Sequence, residues 1–395
     1  MKVKITPAKL CGRVDAIASK SFAHRIMIAA ALADKPTKIN LNTTSEDIEA
    51  TKKCLLSMGA KIDEGEGYLV ISPVTYAKDI VLDCNESGST ARFLLPVAAT
   101  VCDSFKMCGK GRLPERPMTP LISQMRLHNV KINSDHIPLE AVGKMSGGRF
   151  EIPGDISSQY ITGLLFALPN CPHKSEIVLT SPLQSAAYVD ITIGVLKQFG
   201  IEITKTDNSF VVEPQKFISP GEITVEGDWS NSAFWIVANE ICESVFVDGL
   251  NYESLQGDMN ILKAKDMTEI DASEIPDLVP ILAVLACARK GKTVIYNAER
   301  LRIKESDRLE TVRKSLSSLG ADIKETADGL IINGTGSLNG GECESFNDHR
   351  IAMSCAIASC LCKREVIIKD AQAVNKSYPK FFEDFVKLGG KIIIE

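Results

Sequence analysis

Leu55-Leu56-Ser57-Met58-Gly59-Ala60-Lys61-Ile62 ends a helical pattern and opens an extended one, and its echoes along the chain decide the fold. A glycine just past the last helical turn can take the left-handed conformation that stops a helix, while apolar residues on either side clamp the corner. The corner recurs at Met125-Arg126-Leu127-His128-Asn129-Val130-Lys131-Ile132 and at Leu196-Lys197-Gln198-Phe199-Gly200-Ile201-Glu202-Ile203. It returns at 316–323 and at Val386-Lys387-Leu388-Gly389-Gly390-Lys391-Ile392, with a fainter copy at 262–270 that lacks the glycine. The copies stand roughly 70 residues apart, with one shortened interval, a period that marks repeated supersecondary units of strands and two helices. Six such units are expected.

Each unit also has a first helix that is apolar along its length and polar at its start. Ser19-Lys20-Ser21 and Arg25 precede the apolar run 26–33, Glu86-Ser87-Gly88-Ser89-Thr90-Ala91-Arg92 precede Phe93-Leu94-Leu95, and Ser157-Ser158-Gln159-Tyr160 precede 161–168. Asp228-Trp229-Ser230-Asn231-Ser232, Glu274-Ile275-Pro276-Asp277 and Asn347-Asp348-His349-Arg350 head three more. Ser19 is placed to cap its helix, and Ser21 and Arg25, four apart, share a face beside Lys20. One such start would be an ordinary cap with solvated cations. Six of them, with the free N–H groups and positive dipole ends of buried helices, make a strongly anion-binding cleft if they face one another.

Three units fall in 19–226 and three in 227–395, so an α/β (α+β) chain of two similar domains is expected: 1–18 with 227–395, and an inserted 19–226. The cleft would lie between them, a common place for a small-molecule site. The first strand, Val3 to Thr6, need not pair with the unit that follows it. At 395 residues and 45% hydrophobic content the chain can bury two cores. A net charge of -5 without a basic tail argues against nucleic acid or a membrane surface as partner. The longest apolar runs, 278–288 and 351–362, are too short to span a bilayer. Twelve scattered cysteines without a Cys-x-x-Cys pair read as reduced core residues of a cytoplasmic protein.

Ser19-Lys20-Ser21 with Arg25, Glu115-Arg116-Pro117, Ser157-Ser158-Gln159, Tyr188-Val189-Asp190, Ile275-Pro276-Asp277, Arg302-Ile303-Lys304-Glu305-Ser306-Asp307-Arg308, Asn347-Asp348-His349-Arg350 and Lys376-Ser377-Tyr378-Pro379 occur in an order that covers nearly the whole chain. In them the chain resembles the EPSP synthase branch of the enolpyruvyltransferase family. The resemblance implies two domains of three βαβαββ units and transfer of the enolpyruvyl group of phosphoenolpyruvate to the 5-hydroxyl of shikimate 3-phosphate. It implies no metal or organic cofactor; a monomer acting on these two small molecules is expected.

Position by position, the resemblance puts Lys20 on both substrates and Ser21 and Arg25 on shikimate 3-phosphate. Ser157, Ser158 and Gln159 resemble that substrate's phosphate cradle, with Gln159 also toward phosphoenolpyruvate and with Ser185 and Lys304 beside the acceptor. Gly88, Arg116, Arg308, Arg350 and Lys376 resemble the phosphoenolpyruvate set. Asp277 and Glu305, with Lys20, match the catalytic groups. His349 is left as a structural hydrogen-bonder. Two positions depart from the family pattern, Glu86 and Arg300, the latter where a substrate-binding Asn is often found.

Two phosphates and two carboxylates in one cleft demand concentrated positive charge and planar guanidinium forks, which these residues supply. Adding a hydroxyl to C2 and cycling a proton at C3 demands placed acids and bases. Against this stand plainer readings: Asp277 as a helix start, and 302–308 as a salt-bridged helical face. The runner-up within the family is UDP-N-acetylglucosamine 1-carboxyvinyltransferase, whose mobile-loop cysteine would fall near Cys108. The spacing to Arg116-Pro117 does not match its motif, and Lys20-Ser21 replaces its Lys-Asn pair. A non-catalytic anion- or RNA-binding protein of the same repeat is the third reading, opposed by the acidic balance.

Overall fold

The computed structural model describes residues 1–75 and 77–395. Two compact units share the chain, Met1–Ile17 with Gly227–Glu395, and Ala18–Glu226. Each buries its own hydrophobic cluster, one running from Ala18 to Val225 and the other joining Val3, Ile5 and Val14 to residues beyond Trp229. Among the described residues no helix is long and apolar enough to cross a membrane.

The chain opens on β1 (Val3–Thr6) and β2 (Gly12–Asp15), then enters the inserted unit through α1 (Lys20–Leu32), β3 (Thr37–Asn40), α2 (Glu46–Ser57), β4 (Lys61–Gly65) and β5 (Tyr68–Ser72). The second repeat follows as β6 (Val81–Asp83), α3 (Gly88–Val101), β7 (Ser104–Cys108), α4 (Thr119–Leu127), β8 (Lys131–Ile132) and β9 (Leu139–Val142). The third is β10 (Arg149–Ile152), α5 (Ser158–Ala167), β11 (Ser175–Leu179), α6 (Ala186–Gln198), β12 (Ile203–Lys205) and β13 (Ser209–Val212). Their sheets share one order, β6-β7-β9-β8 and β10-β11-β13-β12, with the first pair parallel and the hairpin antiparallel. The first repeat lacks an opening strand. The unit's last strand, β14 (Glu222–Thr224), supplies it by lying parallel to β3, with Ile223 opposite Ile39.

The other unit continues with α7 (Trp229–Cys242), β15 (Val245–Asp248) and the single turn α8 (Ile261–Ala264), and among the described residues β15 pairs only with β2. The faint corner at 262–270 therefore does not lead into a hairpin. Its strand, β16 (Glu269–Asp271), opens the next repeat, which runs through α9 (Val279–Ala288), β17 (Lys290–Tyr296), α10 (Arg308–Ser318), β18 (Asp322–Glu325) and β19 (Leu330–Thr335). The last repeat is β20 (Gly341–Glu344), α11 (His349–Ala358), β21 (Val366–Lys369), α12 (Phe381–Lys387) and β22 (Lys391–Ile394). Its missing strand is β1, which lies antiparallel between β21 and β22 with Val3 opposite both Ile368 and Ile394. Among the described residues five four-stranded sheets and one two-stranded remnant result.

The corners behave as their sequence requires. Gly59 has φ +96°, Gly200 +76°, Gly320 +98° and Gly389 +95°, and the copy at 125–132, with asparagine in the glycine's place, uses Asn129 at 70°, a residue that tolerates this region. First helices bury nearly every residue; α9 is apolar throughout. Such helices leave only their first turns to carry chemistry.

Candidate active site

In the inserted unit α1 supplies the first group. Ser19 occupies the N-cap, but its side chain accepts no hydrogen bond from the helix, so the capping expected there is not made. Its backbone N–H instead ties the helix start to the returning chain at the Glu226 carbonyl, 2.8 Å away. Lys20 Nζ meets Asp47 Oδ2 on α2 at 2.7 Å. Arg25 turns inward, donating from Nε to Thr192 Oγ1 at 2.8 Å, from Nη1 to the Ser21 carbonyl at 2.8 Å and from Nη2 to the Tyr188 carbonyl at 2.9 Å. Its guanidinium also covers the Phe93 ring, and burial pushes its pKa down to about 9. A buried cation set among hydroxyls and carbonyls keeps its field for an anion. Ser185, heading α6, holds left-handed backbone at φ 56°, local strain of the kind found at ligand clamps.

α3 and α5 build the second face of this unit. Gly163 brings α5 so close that a Cβ there would lie 2.2 Å from the Arg92 carbonyl, one turn before Pro96, which has no N–H to offer the helix. Arg92 then spans the helices, donating from Nη1 to Gln159 Oε1 at 2.7 Å and from Nη2 to the Pro117 carbonyl at 3.0 Å. Gln159 Nε2 donates to Ser89 Oγ at 3.0 Å. Ser157 caps α5 by accepting from the Gln159 N–H, and Ser158 is buried in the same turn. Gly88, the first residue of α3, lies beneath the buried Arg116 guanidinium; a Cβ on it would stand 2.7 Å from Nη1.

In the other unit the candidates form one charged cluster. Arg308, heading α10, donates from Nε to Asp348 at 2.8 Å, from Nη1 to Asp277 at 2.8 Å and from Nη2 to Glu305 at 2.7 Å. Asp277 sits in the 3-10 turn Pro276–Leu278 before α9 and also takes Arg350 Nη2 at 3.0 Å, with Lys304 Nζ at 3.8 Å. Burial pushes the Asp277 carboxyl up, but Arg350, Lys304 and Arg308 overcome it and hold the group well below the usual carboxylate range. Burial works against the Arg308 charge, while Asp348, Glu305 and Asp277 more than restore it and lock the guanidinium as a cation. Lys376 ends the 3-10 turn Ala371–Lys376 and donates to the Asn347 carbonyl at 2.7 Å. Tyr378 anchors that turn by donating to Asp384 Oδ2 at 2.7 Å and accepting from Trp235 Nε1 at 3.2 Å.

The helical-face reading of 302–308 does not hold. α10 begins only at Arg308, so Lys304 and Glu305 stand on the loop before it. Sequence reasoning passed over Asp348, which joins Arg308, Ser306 and the start of α11, and Arg92, which fixes Gln159. Both lie within motifs already singled out, and each is placed at a helix start or one turn inside it. Asp47, which takes Lys20, and Thr162 and Thr192, which accept from Arg25 at 3.4 and 2.8 Å, had no local signal, since a buried cation needs acceptors but the sequence does not say where they come from. Of the departures, Arg300 donates to the Ser273 carbonyl at 2.7 Å, and Glu86 packs where a Cβ on Gly111 would lie 2.5 Å from its carboxyl carbon.

Cys108, at the end of β7, is only partly buried, and burial followed by Asp83 and Cys54 pushes its thiol up against the opposing pull of Lys110. A raised pKa leaves little thiolate at neutral pH. The surroundings of Cys108 do not activate it for the cysteine-dependent alternative.

Repeats of this βαβαββ kind, which head their buried helices with polar and charged groups and hold three carboxylates on one arginine, suit the enolpyruvyltransferase class. A sequence model of EPSP synthase (3-phosphoshikimate 1-carboxyvinyltransferase) matches residues 5–269 and 262–385. The 3-phosphoshikimate 1-carboxyvinyltransferase of Clostridium novyi (strain NT) is 41% identical, with 99% of this chain and 98% of the relative covered. That of Clostridioides difficile (strain 630) is 40% identical over the same shares. The chain belongs to the EPSP synthase family. Its fold is similar to that of EPSP synthase from Acinetobacter baumannii, with a TM-score of 0.83 and 24% identity over the whole of both chains.

Proposed function

We infer that the chain transfers the enolpyruvyl group of phosphoenolpyruvate to the 5-hydroxyl of shikimate 3-phosphate, giving 5-enolpyruvylshikimate 3-phosphate and phosphate, a step of the shikimate pathway to chorismate and the aromatic amino acids. Family membership supports the reaction. The observation that carries it in this chain is the pair Asp277 and Glu305, 2.8 and 2.7 Å from the same buried guanidinium of Arg308. Two carboxyl groups kept side by side by a shared cation can serve as separate proton carriers, one taking a proton while the other gives one.

The hydroxyl adds to C2 while C3 gains a proton, and C3 then loses a proton as phosphate leaves. Asp277 takes the proton of the 5-hydroxyl and passes it to the departing phosphate, Glu305 enters protonated, gives its proton to C3 in the addition and takes one back in the elimination, and Lys20 supports charge on both substrates. Ser21, Arg25 and Ser185 with the α5 start, Ser157, Ser158 and Gln159, hold shikimate 3-phosphate, joined by Lys304. Gly88, Arg116, Arg350 and Lys376 hold phosphoenolpyruvate with Gln159. Arg308 belongs to that set too, but its fork serves first as counter-ion to the carboxylates. The chain works as a monomer on small molecules rather than on nucleic acid or a membrane surface, in the cytosol; its net charge of -5 supports the choice of partner and its twelve free thiols the compartment.

Phosphate release from phosphoenolpyruvate is the test. Release that depends on shikimate 3-phosphate is expected. No release, or release that depends on UDP-N-acetylglucosamine instead, overturns the reading.

A further inference from the structure

Four polar side chains of the inserted unit, none of them in the substrate sets above, form one buried row. His24 on α1, Thr51 on α2, and Thr90 and Ser87 at the head of α3 are each at most 1% exposed. His24 Nδ1 lies 2.7 Å from Thr51 Oγ1, Thr51 Oγ1 lies 2.7 Å from Thr90 Oγ1, and Thr90 Oγ1 lies 2.7 Å from Ser87 Oγ.

Counting protons gives the row a direction. Thr90 has one hydroxyl proton and donates it to Ser87; the Asp47 carbonyl, 3.5 Å away, is too far to compete. Thr90 therefore accepts from Thr51, and Thr51 has no proton left for His24. His24 Nδ1 must be the donor. A neutral ring carries one such proton, so Nε2 is bare, and no described group hydrogen-bonds to it. Burial first, then Lys20 and Arg25, lowers the pKa of His24 well below its ordinary value and keeps the ring neutral.

A buried bare nitrogen asks for a reason. The row ends at Ser87, which caps α3 by accepting from the Thr90 N–H at 3.2 Å, and the next residue is Gly88 beneath Arg116. Through the row α1 and α2 set where α3 begins. We propose that His24 is a positioning residue for phosphoenolpyruvate, acting through Thr51, Thr90 and Ser87 to fix the first turn of α3; this rests on the function inferred above.

Two measurements on the full chain test it. Long-range nitrogen–proton correlation spectra of the histidine-labelled protein, without substrate, should show His24 as the neutral Nδ1–H tautomer at pH 7. An Nε2–H tautomer or a charged ring overturns the relay. In steady-state kinetics Thr51→Val should raise KM for phosphoenolpyruvate roughly 3- to 10-fold, the worth of one hydrogen bond, and leave KM for shikimate 3-phosphate unchanged. Thr51→Ser, which restores the hydroxyl, should restore KM. Equal rises for both substrates, no rise, or no recovery with serine refutes the positioning role. If the wild-type chain shows no turnover in that assay, the assigned reaction fails, and the tautomer still decides whether the relay exists.

Discussion

Gly88→Ala tests whether Arg116 serves phosphoenolpyruvate, because the added carbon is aimed into its guanidinium. Gly88 has no left-handed backbone to lose, and alanine is the better helix former, so α3 should form at least as well. The new Cβ would stand 2.7 Å from Arg116 Nη1, 2.8 Å from Cζ and 2.9 Å from Nη2, whereas ordinary contact begins at 3.4 Å. The fork must withdraw by about 0.7 Å, and Arg116 is 6% exposed, so it withdraws against packed neighbours. A charged donor on an anion is worth about 1.5–3 kcal/mol, and a shift of this size forfeits most of it. KM for phosphoenolpyruvate should rise roughly 10- to 150-fold, with KM for shikimate 3-phosphate and the thermal unfolding of the protein little changed. Phosphate release at varied concentrations of each substrate measures both constants. An unchanged KM for phosphoenolpyruvate, or an equal rise for both substrates, refutes the assignment of Arg116.

Arg302 touches no assigned group yet spends its fork on Asp307 at 3.0 Å, Glu325 at 2.6 Å and the Thr326 carbonyl at 2.8 Å, pinning the loop that carries Lys304 and Glu305. Arg302→Lys keeps the charge and loses the fork, so kcat should fall roughly 10- to 100-fold; an unchanged kcat would show that the loop holds itself. Burial, and then Asp277, pushes the Asp258 carboxyl up to about 6. A native pKa above the unfolded one means that the folded state binds the proton more tightly, so this group's contribution to stability falls as pH rises from about 4 to about 6, by on the order of 3 kcal/mol. Urea unfolding followed by the fluorescence of Trp229 and Trp235, both in the unit of Asp258, should show that slope, and Asp258→Asn should remove it; an identical slope in the variant would refute the assignment.

What was legible in the sequence is what is decided locally. Corners at Gly59, Gly200, Gly320 and Gly389 were readable because a helix end and a left-handed residue are properties of a few adjacent positions, and Asn129 kept the pattern by tolerating the same backbone. The exchange of β1 and β14 into repeats distant along the chain was not readable, since any apolar strand of period two fits any such gap. Candidate site residues were named from motifs, but their partners were not. Asp348 could have been read as an N-cap, whereas its bond to Arg308 depends on how α10 and α11 pack. Ser19 shows the reverse case, a residue of the right type at the right position whose side chain goes uncalled by the helix.

The division of labour between Asp277 and Glu305 is the sharpest test of the proposed chemistry. In the free protein Asp277 is held well below the usual carboxylate range by Arg350, Lys304 and Arg308, against burial, and a carboxylate so stabilised is a weak base. Phosphates and carboxylates of the bound substrates draw the same cations, so the basicity of Asp277 must rise in the complex. Sign and window follow: a base must be unprotonated to act, so raising its pKa moves the loss of activity to higher pH. The acid limb of kcat, which reports the complex, should therefore lie above any limb of kcat/KM due to Asp277, which reports the free protein. Asp277→Asn should lower kcat roughly 10²- to 10⁴-fold and abolish that limb. Glu305→Gln keeps the shape and the place on Arg308 but carries no exchangeable acid proton. In deuterated water it should bind both substrates and incorporate almost no deuterium at C3 of phosphoenolpyruvate or product. Near-normal incorporation in Glu305→Gln would pass the C3 proton to another group, with Lys20 next in line, and a kcat limb that stays in place in Asp277→Asn would take the hydroxyl proton away from Asp277.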